Sequence, residues 1–429
     1  MNTRDDMSQE AAGAPKPSSP REQTHNGMGS AARSPLPLAG LRVLELGTLV
    51  AGPYAASVLA QFGAEVIKIE SPGGGDPLRS WRRLHKGTSL WWYTQSRNKQ
   101  SVTVNLRDPR GQQIVRDLAA GCDVVIENFR PGTLEKWGLG WDTLAARQPA
   151  LIMVRVSGYG QSGPYRDRPG FAAIAESIGG LRYVAGHPDR PPVRTGISLG
   201  DTLASLYGVI GALLALHHLR AHPGQGQFID VALYESVFGV MESLLPEYSA
   251  QGFVRERSGA SLPGIAPSNT YPCGDGRYII IAGNTDSIYR RLMQAVGRAD
   301  LAQDPELAGN AGRARQADRI DTAITEWTMR RSLEAALATL EAAQVPCGPI
   351  YTAADIATDP HYRARGMLET HALPDGLPVE FPGIVPRLSA TPGRTRWLGP
   401  RLGEHTQSVL GGLGLDQETL DTLRREGVI

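Results

Sequence analysis

Cysteine is scarce in this chain of 429 residues: Cys122, Cys273 and Cys347 are the only three, and none forms a CxxC pair. That excludes a disulfide framework and a four-cysteine zinc site, and it fits a reducing, cytoplasmic setting. Charge of one sign is missing too, with 44 Lys+Arg against 43 Asp+Glu. A nucleic-acid partner would call for a basic excess or stripe. Lysine itself is rare. Lys16, Lys68, Lys86, Lys99 and Lys136 are all there are, and the remaining basic residues are arginines, a skew that reflects genome composition more than function. No uninterrupted run approaches about 18 apolar residues, so neither a membrane-spanning helix nor a membrane partner is expected. The nine histidines form no HExxH or HxH pattern. No metal site is therefore expected.

What is present points to a packed α/β protein. Hydrophobic residues make up 41% and charged residues 20%, enough for a sizeable core spread over two or three domains. Residues 1–34, rich in Ser, Pro, Gly and polar groups, are expected to form a disordered tail. A strand at 41–46, a helix at 53–62 and a strand at 65–69 make a βαβ unit. Further strands are expected at 101–105, 123–126, 151–156 and 227–231, with helices near 109–120 and 132–147, which favours a parallel, helix-covered sheet. The first loop, Gly47-Thr-Leu-Val-Ala-Gly52, lacks the GxGxxG of a dinucleotide site, and Gly73-Gly-Gly-Asp76 lacks the Lys-Ser/Thr of a phosphate loop. Long helices are expected from Asp201 to about 220 and over 233–251. A linker at 252–270 leads to a hairpin at 271–282 and helices at 287–297, 315–330 and 332–343, a smaller unit.

Asp201 stands at the start of the first long helix, in Gly196-Ile-Ser-Leu-Gly-Asp-Thr202. From the residues alone it reads first as an N-cap, whose loss to Ala costs about 0.5–2 kcal/mol, yet the same geometry suits a nucleophile. A helix start keeps a carboxylate ionised, and Gly200 leaves room for a substrate. Spacing alone does not choose.

A series of short motifs does. In order, they are Leu38-Ala-Gly-Leu-Arg-Val-Leu-Glu-Leu46, Ala51-Gly-Pro53, Gly63-Ala-Glu-Val-Ile-Lys-Ile-Glu70, Arg97-Asn-Lys-Gln-Ser101, Asp123-Val-Val-Ile-Glu-Asn-Phe-Arg-Pro-Gly132, Gly158-Tyr-Gly-Gln-Ser-Gly-Pro164, Gly200-Asp201, Val345-Pro-Cys-Gly-Pro349 and Leu402-Gly-Glu-His-Thr406. Their order and spacing resemble the class III CoA-transferases, the formyl-CoA transferase or carnitine-dehydratase-like (CaiB/BaiF) family. The resemblance implies an α/β fold. A Rossmann-like large domain with a parallel sheet would span 35–257 and resume at 345–429, a smaller inserted α/β domain would cover 258–344, and two chains would interlock as a homodimer. It implies that Asp201 is the nucleophile. It implies a coenzyme A pocket of Val50, Ala51, Val104, Asn105, Asn128, Phe129, Arg130, Lys136, Ser157, Gly158, Tyr159 and Gly160, with the CoA thioester a substrate and no tightly bound cofactor.

There are departures. Ser71 stands where some members place a nucleotide-contacting Arg. The Gly-rich loop of the formyl/oxalate branch is absent, leaving Ser258-Gly259 and Gly283-Asn284 as candidates for its role. Phe171 and Ala172 replace the His-Asp pair of the racemase branch, which disfavours α-methylacyl-CoA racemisation. Arg194, just before the nucleophile, suits a second carboxylate. The overall likeness leans towards succinyl-CoA as donor and a dicarboxylate-type acceptor. A monocarboxylic acceptor and a catalytically silent CoA-binding scaffold are the alternatives.

Overall fold

The structure, a computed structural model, describes residues 35–429; the tail expected over 1–34 lies outside them. Six strands form one sheet: β1 (Arg42–Glu45), β2 (Glu65–Glu70), β3 (Lys99–Thr103), β4 (Val124–Glu127), β5 (Ile152–Ser157) and β6 (Gln227–Ala232). Their order is β3-β2-β1-β4-β5-β6, and every neighbouring pair is parallel. The expected parallel sheet is therefore present, in the order of a doubly wound fold.

Alternate residues of β1, β2, β4 and β5 feed two cores. Leu44, Ile67, Val102, Val125 and Met153 pack on one face with Leu420, Leu423 and Val428 from the end of the chain. Val43, Val66, Val124, Ile152 and Val154 pack on the other face. Burial on both faces explains why these strands read as continuous apolar runs. Chain direction across the sheet reverses between β1 and β4. The crevice beyond the carboxyl ends of those strands is where such sheets bind ligands.

Helix α1 (Ala51–Gln61) follows β1, and α2 (Pro109–Ala120) follows β3. Asp108 caps α2 through the Arg110 N–H, with Pro109 in its first turn. Two expected helices are broken. Residues 132–147 split into Thr133–Lys136 and Trp141–Arg147, because Gly138 takes a left-handed φ of 62°. Residues 233–251 split into Leu233–Phe238 and Leu244–Gln251, with Glu242 at φ 52°. A short helix, α3 (Ala172–Ile178), had no clear periodic signal.

Helix α4 (Leu199–Ala221) is long and apolar enough, by length and composition, to cross a membrane. No uninterrupted apolar run marks it, because Asp201, Ser205 and His217 interrupt the segment. Its small residues Ala204, Gly208, Ala212 and Ala215 are buried in the second core. Its Leu206, Ile210, Leu213 and Leu214 are exposed.

The strands Ser268–Pro272 and Tyr278–Ala282 form the expected hairpin, and Cys347–Pro349, beyond the boundary expected at 344, pairs with the second of them. Helices Asp286–Ala295, Ala317–Thr328 and Leu333–Ala342 share a core with this small sheet. A further hairpin, Leu368–Ala372 with Pro378–Pro382, was not anticipated, although Pro374-Asp-Gly376 between its strands is a turn signal. The Leu402-Gly-Glu-His-Thr406 motif lies along the free edge of β3. His405 N donates to Ser101 O at 2.9 Å, and Ser101 N and Thr103 N donate to His405 Nδ1 (3.2 Å) and Thr406 Oγ1 (2.9 Å). The motif thereby covers an otherwise unpaired sheet edge.

Candidate active site

The β1 loop is shaped by its neighbours. Asn128, after β4, accepts from Thr48 N at 2.9 Å and donates to Thr48 O at 2.8 Å. A Cβ at position 47 would stand 2.8 Å from Asn128 Oδ1, so Gly47 serves this close approach rather than a pyrophosphate. Leu49 is left-handed, φ 65°, a conformation that costs about 1–3 kcal/mol in a non-glycine residue and needs outside support. Asp76 supplies it, accepting from Leu49 N at 3.0 Å, and Gln95 Nε2 donates to Leu49 O.

Asp76 belongs to a buried charge network. Lys68 Nζ lies 2.8 Å from Asp76, 2.7 Å from Glu45 and 2.9 Å from Gly47 O, and Lys99 Nζ lies 2.8 Å from Glu45. Burial opposes the Lys68 charge, but Asp76, Glu45 and Glu70 outweigh it and hold the ammonium above its ordinary range. Lys99 is pushed down by burial, against Glu45. Glu127, at the end of β4, is pushed up to about 7 by burial despite Arg155 at 2.8 Å, and it accepts from Phe129 N.

Two cavities open onto this loop. One, about 440 Å³, surrounds Asp201 and is lined by Val50, Ala51, Asn128, Phe129, Arg130, Ser157, Gly158 and Arg194 from the expected set. The other, about 790 Å³, takes in Val104, Asn105 and Phe129, with Ser71 and the unanticipated Arg107 and Arg424. Both are walled by Thr48 and Phe129, so together they follow the carboxyl ends of β1, β2, β3, β4 and β5. Three expected residues line neither. Lys136 is exposed at the end of its helix. Tyr159 packs its ring on Tyr165 and Tyr234, and Gly160 N donates to Ser157 Oγ. Nor do Ser258-Gly259 or Gly283-Asn284 border Asp201. Gly259 N donates to Gly186 O, and Gly283 N donates to Pro267 O.

Asp201 is the third residue of α4, and the helix is preceded by Ser198, whose side chain makes no capping bond. Among the described residues no hydrogen bond reaches the Asp201 carboxylate. The N-cap reading is thus overturned: Asp201 sits inside the first turn with its carboxylate unbonded. Burial, then the nearby Glu176 charge, push its acid up to about 6, against Arg194. Gly200 does not make room for a substrate either. A Cβ there would meet Ala172 O and Glu176 Cγ at 3.3 Å, so the glycine lets α3 approach. Ser205 Oγ, 2.6 Å from Ala51 O and 2.7 Å from Asp201 O, ties the first turn of α4 to the start of α1. That start has no side-chain cap and no acid in its first turn, so its N–H groups offer a site of positive potential on the cavity wall.

Around Asp201 the cavity wall carries four arginines, Arg130, Arg166, Arg168 and Arg194, and no second carboxylate. Arg166 and Arg168 lie outside the sequence motifs, just before the Phe171–Ala172 pair. Phe171 and Ala172 line the same wall, which holds no histidine or other second base of the kind a racemase needs. No group of three His, Cys, Asp or Glu among the described residues is arranged to hold a metal.

The model of CoA-transferase family III matches residues 38–406. The chain is 48% identical over 402 residues to a succinyl-CoA–D-citramalate CoA-transferase of Chloroflexus aurantiacus, covering 93% of this chain and 100% of that one. It is 45% identical to the beta subunit of a succinyl-CoA–L-malate CoA-transferase of the same organism, covering 92% and 98%. A crystal structure of a CAIB/BAIF family protein from Brucella suis superposes with a TM-score of 0.78 at 36% identity, covering 88% of this chain and 100% of that one. With a parallel sheet of matching architecture and a family match that runs from before β1 to the motif on the β3 edge, this chain belongs to CoA-transferase family III and is an enzyme that handles acyl-CoA.

Proposed function

We propose that the protein moves CoA from succinyl-CoA to a free dicarboxylic acid, through an aspartyl-CoA thioester on Asp201. The observation that carries the reading is the lone unbonded carboxylate facing four arginines. CoA phosphates, the distal carboxylate of the donor and that of the acceptor are all anions, and arginine forks suit them. The relatives named for citramalate and malate, both dicarboxylates, support the same choice. The larger cavity suits the nucleotide end of CoA, with Arg107 and Arg424 offering the cations that Ser71 does not.

In this mechanism Asp201 attacks the donor thioester carbonyl. The C–S bond breaks, CoA leaves as thiolate, and a mixed anhydride remains. The thiolate then attacks the aspartyl carbonyl and expels succinate, leaving the CoA thioester on Asp201. The acceptor carboxylate attacks that thioester and the two steps run in reverse. The uncapped N–H groups of α1 stabilise the developing oxyanions. Exclusion of water protects both intermediates from hydrolysis.

Incubation with succinyl-CoA and a panel of mono- and dicarboxylic acids, read by mass, is expected to yield new CoA esters of dicarboxylates. Equal turnover of monocarboxylates would sink the dicarboxylate reading. Hydroxylamine added after acyl-CoA is expected to modify Asp201 and no other carboxylate.

The small sheet with its helices, extended from the expected 258–344 to take in Cys347–Pro349, is the inserted domain of this proposal, and the assembly is an interlocked homodimer. The exposed Leu206, Ile210, Leu213 and Leu214 on α4 support it, since a monomer rarely leaves such a stripe in water. Sedimentation at micromolar concentration is expected to give twice the chain mass. A stable monomer contradicts the proposal.

A further inference from the structure

The start of α4 holds a second carboxylate that the mechanism does not use. Glu176, on α3, is completely buried. One of its oxygens lies 2.9 Å from Arg182 Nε, and the other accepts from Gly200 N at 3.3 Å. Ala172 and Glu176 meet the backbone at Gly200 so closely that only a glycine fits there without displacement.

An acid in the first turn of a helix ordinarily turns back onto the free N–H groups, and each such bond stabilises the anion and lowers its basicity. Here one of those N–H groups is already taken, by a carboxylate arriving from another helix. The groups that face Asp201 are Glu176 from α3, Arg194 from the segment before α4, and Arg130, Arg166 and Arg168 across the cavity. Arg194 favours the Asp201 anion, while burial and then Glu176 oppose it.

The geometry points to Glu176 as a positioning residue: held by Arg182, it serves as the substitute cap of α4 and leaves Asp201 unbonded and more basic, facing the substrate. The inference rests on Asp201 being the nucleophile. It assigns to the Glu176–Arg182 pair a task in reactivity that its burial alone would pass off as packing. A more basic carboxylate is a better nucleophile towards the thioester. The raised acid of Asp201 is the effect this arrangement would produce, with burial the larger contributor and Glu176 the second.

Glu176→Gln keeps the shape and an oxygen for Gly200 N but removes the charge. Carboxyl-carbon NMR, with the Asp201 signal identified by its loss in Asp201→Asn, should show the Asp201 titration midpoint moving to lower pH. The acid limb of kcat against pH should move with it, and kcat near neutral pH should fall about three- to tenfold while KM for acyl-CoA stays within about twofold. A role in packing alone would lower the yield of folded protein without moving the acid limb. An unchanged midpoint and acid limb in Glu176→Gln, with Asp201→Asn inactive, overturns the positioning role and leaves the nucleophile standing. Activity retained in Asp201→Asn overturns the nucleophile itself.

Discussion

Asp201→Asn is expected to abolish CoA exchange and at the same time to make the protein more stable at neutral pH. The activity loss follows from the covalent route: an amide does not form the mixed anhydride, and removing a nucleophile costs on the order of 10³-fold or more. The stability gain follows from the site. Burial, and then Glu176, push the Asp201 acid from 3.8 to about 6. The folded chain therefore holds this proton more tightly than the unfolded chain does. Stability from this group is fully present below about pH 4 and is lost as pH rises through 6. Two units correspond to about 3 kcal/mol, and partial exposure brings the expected gain for the Asn variant to roughly 1–2 kcal/mol. Denaturant unfolding at pH 7 and at pH 3.5 checks it, with the difference vanishing at the lower pH. If the Asn variant were less stable than wild type at pH 7, Asp201 would be making a stabilising bond after all. Asp201→Ala is likewise expected to show no loss of a cap.

The largest effect on folding is expected from Lys68→Met. The side chain is fully buried, and its three ammonium donors reach Glu45, Asp76 and Gly47 O. Methionine fills much the same volume but leaves Asp76 unpaired and Glu45 with Lys99 alone. Breaking a buried pair by removing one partner costs about 3–5 kcal/mol. Asp76 is held below the ordinary carboxylate range because Lys68 and the backbone donors of Leu78 and Leu49 outweigh burial. Its share of stability is therefore present at neutral pH and is lost as pH falls below about 4. The damage also reaches the site. Asp76 is what holds the Leu49 N–H, so the left-handed turn before Val50 and Ala51 loses its support. Unfolding in denaturant, together with a raised KM for acyl-CoA in the protein that still folds, checks both parts. A loss under about 1 kcal/mol would show that the network does not matter to the fold.

Much of the sheet was legible because its central strands β1, β2, β4 and β5 are short, largely apolar runs, and burial on both faces writes such runs directly into the sequence. The breaks at Gly138 and Glu242 were not, since a left-handed residue inside a helical pattern is a choice made by packing. The short helix α3 and the hairpin over Leu368–Ala372 and Pro378–Pro382 were too brief to show a period. Motif order alone pointed to Asp201, Asn128 and the first loop as one site. It also named Lys136, Tyr159 and Gly160, which line neither cavity.

The roles inside the site were decided only in three dimensions. Gly47 and Gly200 look like room for a ligand in the sequence, yet one admits Asn128 and the other admits α3. Lys68 and Lys99 look like two ordinary lysines, and folding converts them into the buried support of a strained loop. Glu176 and Asp201 stand 25 positions apart, and no local pattern links them. By itself the sequence determined the parallel sheet, the family and the residue on which the chemistry is proposed to turn. The tertiary structure decided which of two carboxylates would cap the helix and which would stay free. That outcome depends on which group the neighbouring helix brings to the helix start, a contact between segments that local sequence does not encode.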